Sequence, residues 1–332
     1  MQIILYIFSF NNKKRTPKDA FMNKISAEEK ISFAHITLED REIYEKYLTA
    51  EGERGCEFSF ANLYMWGRQT FAELDGHIAL FSQFNQRSVY PYPLGAADKK
   101  SILDAIIADS KSRGIPCRIT GIVGEGRAVI EELYPGKFRF HSDEGSYDYV
   151  YLVNDLADLK GKKYHGKRNH LYRFADAHPN YRVLPVNHKT VSLAREFSEE
   201  WYERRLADDP DADFHMERAA LKKAFDSFAE LGMCGLILLD GDEVLAFTMA
   251  SRPYADTLDV HFEKARADVQ GAYAAINCEF AKFVRDNYPE VIYLNREEDM
   301  GLEGLRRAKQ SYHPHHRIEK CWACLLEDGY DY

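Results

Sequence analysis

The chain has no apolar run long enough to cross a bilayer. Its N-terminal run, within Gln2–Phe10, holds about eight apolar residues, whereas a spanning helix needs about 20. The positive charges of Lys13-Lys14-Arg15 follow that run instead of preceding it, and no small-residue cleavage site appears. Both facts exclude an ordinary secretory signal. Cysteines are few and scattered (56, 117, 234, 278, 321 and 324). Only Cys321-Trp-Ala-Cys324 has metal-like spacing, and no second pair matches it, so the six read as buried thiols of a reducing compartment. No Gly-x-Ser-x-Gly occurs, which excludes a nucleophile elbow. Gly121-Ile-Val-Gly-Glu-Gly126 runs in the reverse order of a dinucleotide loop and has no acidic partner after it. His313-Pro-His-His316 is interrupted by proline, and Asp208–Asp213 lacks the glycine and distal glutamate of a calcium loop. No metal site is expected. Basic residues are in deficit, 44 against 53 acidic, for a net charge of −9. That excludes a surface that coats nucleic acid throughout but leaves room for a local basic patch.

What is present describes a sizeable water-soluble protein. At 332 residues the chain exceeds the usual span of one core, so two domains are expected. Its 21 Tyr and 20 Phe supply large cores or a wide cleft. Residues 1–24 read as an extension outside the fold, disordered or preceding a true start at Met22. The expected location is the cytoplasm.

The element order is most specific between Asp240 and Leu326. Two apolar runs, Cys234–Leu239 and Val244–Ala250, flank Asp240-Gly241-Asp242, a hairpin signal. A period-two run, Thr257–Phe262, follows. Arg266-Ala-Asp-Val-Gln-Gly271 then opens an amphipathic helix over Tyr273–Val284. The pattern continues with a strand (Val291–Leu294), a helix (Leu302–Ala308) and a last strand over Ile318–Leu326. The first half, 25–158, repeats the theme. A hairpin around Asp75-Gly76 is followed by a helix over Asp98–Arg113, a strand, a helix and further strands. The expectation is an α+β protein of two similar domains, 25–158 and 159–332, with mixed, mostly antiparallel sheets flanked by helices.

Three stretches carry candidate chemistry. The seam after Leu159 holds Lys162, Lys163, His165, Lys167, Arg168, Asn169 and Arg173, interleaved with aromatics in an otherwise acidic chain. It reads either as a solvated helix face or as an anion-facing site for phosphates, a tRNA backbone or a lipid head group. The glycine turn offers Arg266, Gln270 and Gly271 as a carrier-phosphate site at a helix start. Past the third and fourth strands lie His261 and the run Asn295-Arg296-Glu297-Glu298-Asp299. Crowded carboxylates there would raise one pKa and make a base, or they cap the next helix. Arg296, Lys309 and Tyr312 are placed to contact substrate in the same cleft.

Lys160-Gly-Lys-Lys-Tyr-His-Gly-Lys-Arg-Asn-His170 and Tyr293-Leu-Asn-Arg-Glu-Glu-Asp-Met-Gly-Leu-Glu-Gly-Leu-Arg-Arg-Ala-Lys-Gln-Ser-Tyr-His-Pro314 resemble a bacterial family related to the C-terminal catalytic domain of phosphatidylglycerol lysyltransferases. The likeness runs over nearly the whole chain from about residue 25. It implies tandem GNAT-like (acyl-CoA N-acyltransferase) domains, similar to peptidoglycan-bridge aminoacyltransferases. Such enzymes pass an aminoacyl group from tRNA to an amine or hydroxyl acceptor. The membrane-spanning part of the lysyltransferases is missing here, so the acceptor is open among lipid, peptide and small amine, with peripheral membrane contact allowed. The carrier loop departs from the GNAT pattern, with Val269 where a glycine normally admits a pyrophosphate. Aminoacyl-tRNA or acyl-CoA is the expected co-substrate. The alternatives are an acyl-CoA-dependent N-acyltransferase and a non-catalytic binding module of the same fold.

Overall fold

The computed structural model describes residues 30–326 except 53, 85 and 86. The expectations for residues 1–24 lie outside them. In chain order the first half contains β1 (Ala34–His35), α1 (Arg41–Thr49), α2 (Phe60–Trp66), β2 (Gln69–Leu74), β3 (His77–Phe84), β4 (Arg87–Pro91), α3 (Lys99–Arg113), β5 (Arg118–Ile122), α4 (Gly126–Leu133), β6 (Phe138–Ser142) and β7 (Asp148–Leu152). There follow α5 (Val153–Asp158), α6 (His165–Ala177), β8 (Arg182–Pro185), α7 (Val191–Asp208), α8 (His215–Asp226), β9 (Cys234–Asp240), β10 (Glu243–Tyr254) and β11 (Thr257–Ala265). The chain ends with α9 (Ala272–Asn287), β12 (Tyr293–Asn295), α10 (Glu303–Gln310), β13 (His316–Ile318) and β14 (Cys321–Leu325).

Local chemistry accounts for most of these boundaries. Asp75 and Gly76, both at positive φ, make the two-residue turn that matches the twist of β2 and β3. Asp98 caps α3 by accepting from the Lys100 N–H, and Gly114 ends that helix in the left-handed conformation. Ser59 caps α2 in the same way through the Asn62 N–H.

The strands form two seven-stranded sheets, ordered β1-β2-β3-β4-β5-β14-β6 and β13-β7-β12-β11-β10-β9-β8. Each half therefore lends a strand to the other. β7 pairs antiparallel with β12 and β13, while β14 pairs with β5 and β6. The single strand expected over Ile318–Leu326 is two strands in different sheets, with Glu319-Lys320 crossing between them. Sheet membership thus does not change at residue 158. One apolar core joins the halves, packing Phe58, Phe60 and Leu63 with Leu221, Phe225 and Phe247. Burying each such side chain is worth about 1.5–3 kcal/mol. A second core lies around α9, whose Ala275, Ile276, Phe280 and Val284 pack beneath the second sheet.

The feature that positions the site is the short parallel pair β11–β12. It runs for three residue pairs, the last being Asp259↔Asn295. Beyond it β11 continues along β10, whereas the other chain turns off at Glu297, a non-glycine residue at φ 57°. The sheet opens there.

Candidate active site where two strands part

His261 stands at a β-bulge. The β10–β11 register passes from Met249↔Phe262 to Ala250↔Val260, leaving His261 as the extra residue. Bulges re-aim a side chain, and this one turns a buried imidazole toward the parting. Its Nδ1 lies 3.0 Å from Glu297 Oε1 and 3.8 Å from Asp259 Oδ2, and its Nε2 is 2.8 Å from Ser251 Oγ. Glu297 Oε1 also accepts from Asn62 Nδ2 at 2.9 Å. Asn295 ties both sides together: its Nδ2 donates to Asp148 Oδ2 at 2.9 Å, and its Oδ1 accepts the Glu297 N–H at 2.8 Å. Asp259 is fully buried, and among the described residues neither of its oxygens has a hydrogen-bond partner within 3.5 Å. Burial, with the charges of Glu297 and Asp148 behind it, pushes its carboxyl well above the usual range.

Behind Asn295 lies a second buried cluster. Lys320 Nζ meets Asp148 Oδ1 at 2.6 Å and Glu57 Oε2 at 2.7 Å, and the Cys56 N–H donates to Asp148 Oδ2 at 2.7 Å. Glu298 comes within 3.8 Å of the same ammonium. Its carboxyl is nevertheless pushed up to about 7, chiefly by burial.

The remaining residues of the acidic run face elsewhere. Asp299 is held by Arg306 Nε at 2.8 Å, by the Tyr149 hydroxyl at 2.7 Å and by the Gly301 N–H at 2.8 Å. The Arg306 bonds bring its carboxyl down to about 2. Its contacts are those of a residue fixing the turn before α10. Lys309 spends its ammonium on the carbonyls of Arg296, Glu297 and Glu298, at 2.5, 3.0 and 2.6 Å, which holds Glu297 in its left-handed conformation. Arg296 pairs with Glu263 at 2.8 Å and lies over the rings of Tyr151 and Tyr312. Arg296, Lys309 and Tyr312 thus support the loop from behind.

The basic seam becomes one short helical turn followed by α6, and its two faces differ. Lys162, His165, Asn169 and Arg173 are exposed, together with the Tyr172 ring. Lys163 is also exposed, 3.4 Å from Asp155. Lys167 turns inward over the Tyr312 ring at 3.6 Å, and burial with the nearby Arg296 charge lowers it to about 8. Arg168 donates to the carbonyls of Leu159 and Gly161. The outward face alone is available to a phosphate.

α6 also covers the glycine turn. Gly271 sits at φ 87°, and a Cβ there would collide with the His170 carbonyl oxygen and touch Phe174 Cβ. The glycine admits a neighbouring helix. Arg266 is engaged by Glu200 at 2.8 Å and Glu243 at 2.6 Å, leaving Gln270 as the exposed member of the three. These contacts give Gly271 and Arg266 each a packing role.

A cavity of about 340 Å³ opens between the halves beside the parted strands. Its wall includes Asp259, Asn295, Cys56, Arg54 and Tyr254. Among the described residues, Arg54 Nε and the Tyr254 hydroxyl have no hydrogen-bond partner within 3.5 Å, like the Asp259 carboxylate.

Residues 50–324 match the family described as phosphatidylglycerol lysyltransferase, C-terminal. The chain belongs to that family. A conserved protein of unknown function from Bacteroides thetaiotaomicron is 36% identical and superposes with a TM-score of 0.84, over 89% of this chain and 99% of that one. L-PGS from Bacillus licheniformis shares the fold at 17% identity and a TM-score of 0.61, over 87% and 92% of the two chains. The C-terminal domain of a putative lysylphosphatidylglycerol synthetase from Agrobacterium fabrum does so at 12% and 0.64, over 86% and 91%. No curated protein matches the chain significantly by sequence. The two mostly antiparallel sheets flanked by helices match the expected α+β class, and the family supports an aminoacyl- or acyltransferase. No helix among the described residues is long and apolar enough to cross a membrane.

For this member of the phosphatidylglycerol lysyltransferase C-terminal family, sequence reasoning brought together His261, Asn295, Glu297 and Glu298. It missed Cys56, Glu57, Asn62, Asp148, Asp259 and Lys320. A usable signal existed at two of them: Asp148 and Asp259 are lone carboxylates inside apolar strand-forming runs, where an acid is costly unless it has a function or a partner.

Proposed function

We propose that the protein moves an aminoacyl group from tRNA to an amine or hydroxyl acceptor, with its reaction centre at the parting of β11 and β12. The observation that carries this reading is the cavity of about 340 Å³ walled by Asp259 and Asn295, with His261 and Glu297 directly beyond. Its volume falls in the range of small-molecule sites, about 300–1,000 Å³. In the reaction the acceptor attacks the ester carbonyl, a tetrahedral oxyanion forms, and the ribose hydroxyl leaves with a proton. His261, Asn295, Glu297 and Glu298 are the groups assigned to that centre, and Asn295 positions Glu297 through its backbone N–H.

The donor's phosphates are assigned to the outward face of α6, through Lys162, Lys163, His165, Asn169 and Arg173. Coenzyme A is a weaker candidate because α6 packs on the Gly271 turn and Arg266 is already paired. The acceptor class remains lipid, peptide or small amine. The test is incubation of the protein with radiolabelled aminoacyl-tRNAs and bacterial extract. Label moving from tRNA to a new product supports the proposal. Label moving only from acyl-CoA replaces the donor.

A further inference from the structure

Two trios of metal-type side chains flank Asn295, and they differ in one respect. Cys56, Glu57 and Asp148 already have a cation among them, the ammonium of Lys320. No Lys or Arg among the described residues pairs with Asp259, His261 or Glu297. Among the described residues, His261 at 3.8 Å is the one ion-pair partner of Asp259, whose carboxylate side chain is 1% exposed and whose oxygens are both without a hydrogen-bond partner.

We propose that Asp259, His261 and Glu297 bind a divalent transition-metal ion of the Zn²⁺ class. The ligand atoms of the three residues all lie within 4.8 Å of one another. Bonds of about 2.0–2.2 Å at tetrahedral or octahedral angles place neighbouring ligand atoms about 3.0–3.5 Å apart. The distances from His261 Nδ1 to Glu297 Oε1 and Asp259 Oδ2, 3.0 and 3.8 Å, bracket that range. A donor set of one imidazole nitrogen and two carboxylate oxygens suits zinc or manganese better than calcium. The surroundings already orient the ligands. Ser251 Oγ holds the far nitrogen of His261 at 2.8 Å, which aims Nδ1 at the carboxylates, and Asn62 Nδ2 holds Glu297 at 2.9 Å. Asp259 also lines the cavity, so a bound ion has an open coordination position facing it. The three ligands come from a strand, a bulge and a distant loop, which is why spacing along the chain conceals them. This assignment stands on geometry and does not depend on the donor or acceptor proposed above.

The test uses the full chain, freed of metal with a chelator and titrated with Zn²⁺ by equilibrium dialysis and elemental analysis. About one Zn²⁺ per chain is expected, reduced at least tenfold in Asp259→Asn and in His261→Gln and retained in Cys321→Ser. Co²⁺ in the wild-type protein provides a second readout that needs no variant: visible d–d bands are expected without a thiolate-to-metal charge-transfer band in the near ultraviolet. Absence of both stoichiometric Zn²⁺ and Co²⁺ bands overturns the proposal. Stoichiometric binding that survives both Asp259→Asn and His261→Gln, or a thiolate band, places the ion elsewhere and overturns it equally.

Discussion

Lys320 Nζ lies 2.6 Å from Asp148 Oδ1, and this pair staples the two places where the chain changes sheets. Asp148 begins β7, which the first half lends to the second sheet, and Lys320 precedes β14, which returns to the first. Both side chains are buried. Removing one partner of a buried pair leaves an uncompensated charge, which costs about 3–5 kcal/mol. Lys320→Ala is expected to lower the unfolding free energy extrapolated from urea denaturation by that amount, and Asp148→Asn combined with it to cost less than the sum of the two. Chemical denaturation of both single variants and the double variant measures the coupling. Strict additivity would mean that the pair does not act as a staple.

Gly271 provides a test of why a glycine sits there. Its left-handed conformation alone costs an L-residue about 1–2 kcal/mol, and a Cβ also meets the His170 carbonyl. Gly271→Ala should therefore lower Tm in the absence of any ligand. An unchanged Tm would return the turn to a ligand-binding role.

Lys167 gives the pH dependence. Its folded pKa is about 8, below the ordinary 10.5, so the folded state binds fewer protons than the unfolded state between those values. The cost of burying the charged form is fully present below pH 8 and is relieved as pH rises toward 10.5. Wild-type stability should gain on Lys167→Met across that window. Parallel denaturation curves at pH 7 and pH 10 check it, and an equal difference between the two proteins at both pH values refutes it.

Local patterns disclosed the hairpins at Asp75-Gly76 and Asp240-Gly241, the helix over Lys99–Arg113 and the acidic run after β12, because turn chemistry and periodicity act over a few residues. They did not disclose the exchange of β7 and β14. Asp148 and Lys320 are 172 residues apart by their numbers, and strand partners at that range leave no local period. The same limit hid Cys56 and Asn62, which reach the site only because α2 packs against the second half. Within the run Asn295–Asp299, the capping expected of the acids is not seen, because α10 has Leu302 at its N-cap and no side-chain cap bond. Glu297 and Glu298 face the cluster, while Asp299 fixes the turn before α10.

Asn295 bonds both Asp148 and the Glu297 N–H at the proposed reaction centre, so Asn295→Ala should lower kcat on the order of 100-fold, the usual cost of a misplaced catalytic group. The fold should survive it, as circular dichroism would show. A folded variant with undiminished turnover would remove Asn295 from the site.

The donor is the central claim, and its most direct measurement is transfer of radiolabelled aminoacyl groups from tRNA as a function of salt. Wild-type protein should deplete at least one aminoacyl-tRNA, with a steep loss of binding as salt rises. The combined change Lys162→Ala, Lys163→Ala and Arg173→Ala should flatten the slope of log K against log salt by roughly 2–3. Turnover of acyl-CoA with every aminoacyl-tRNA left intact would contradict the account.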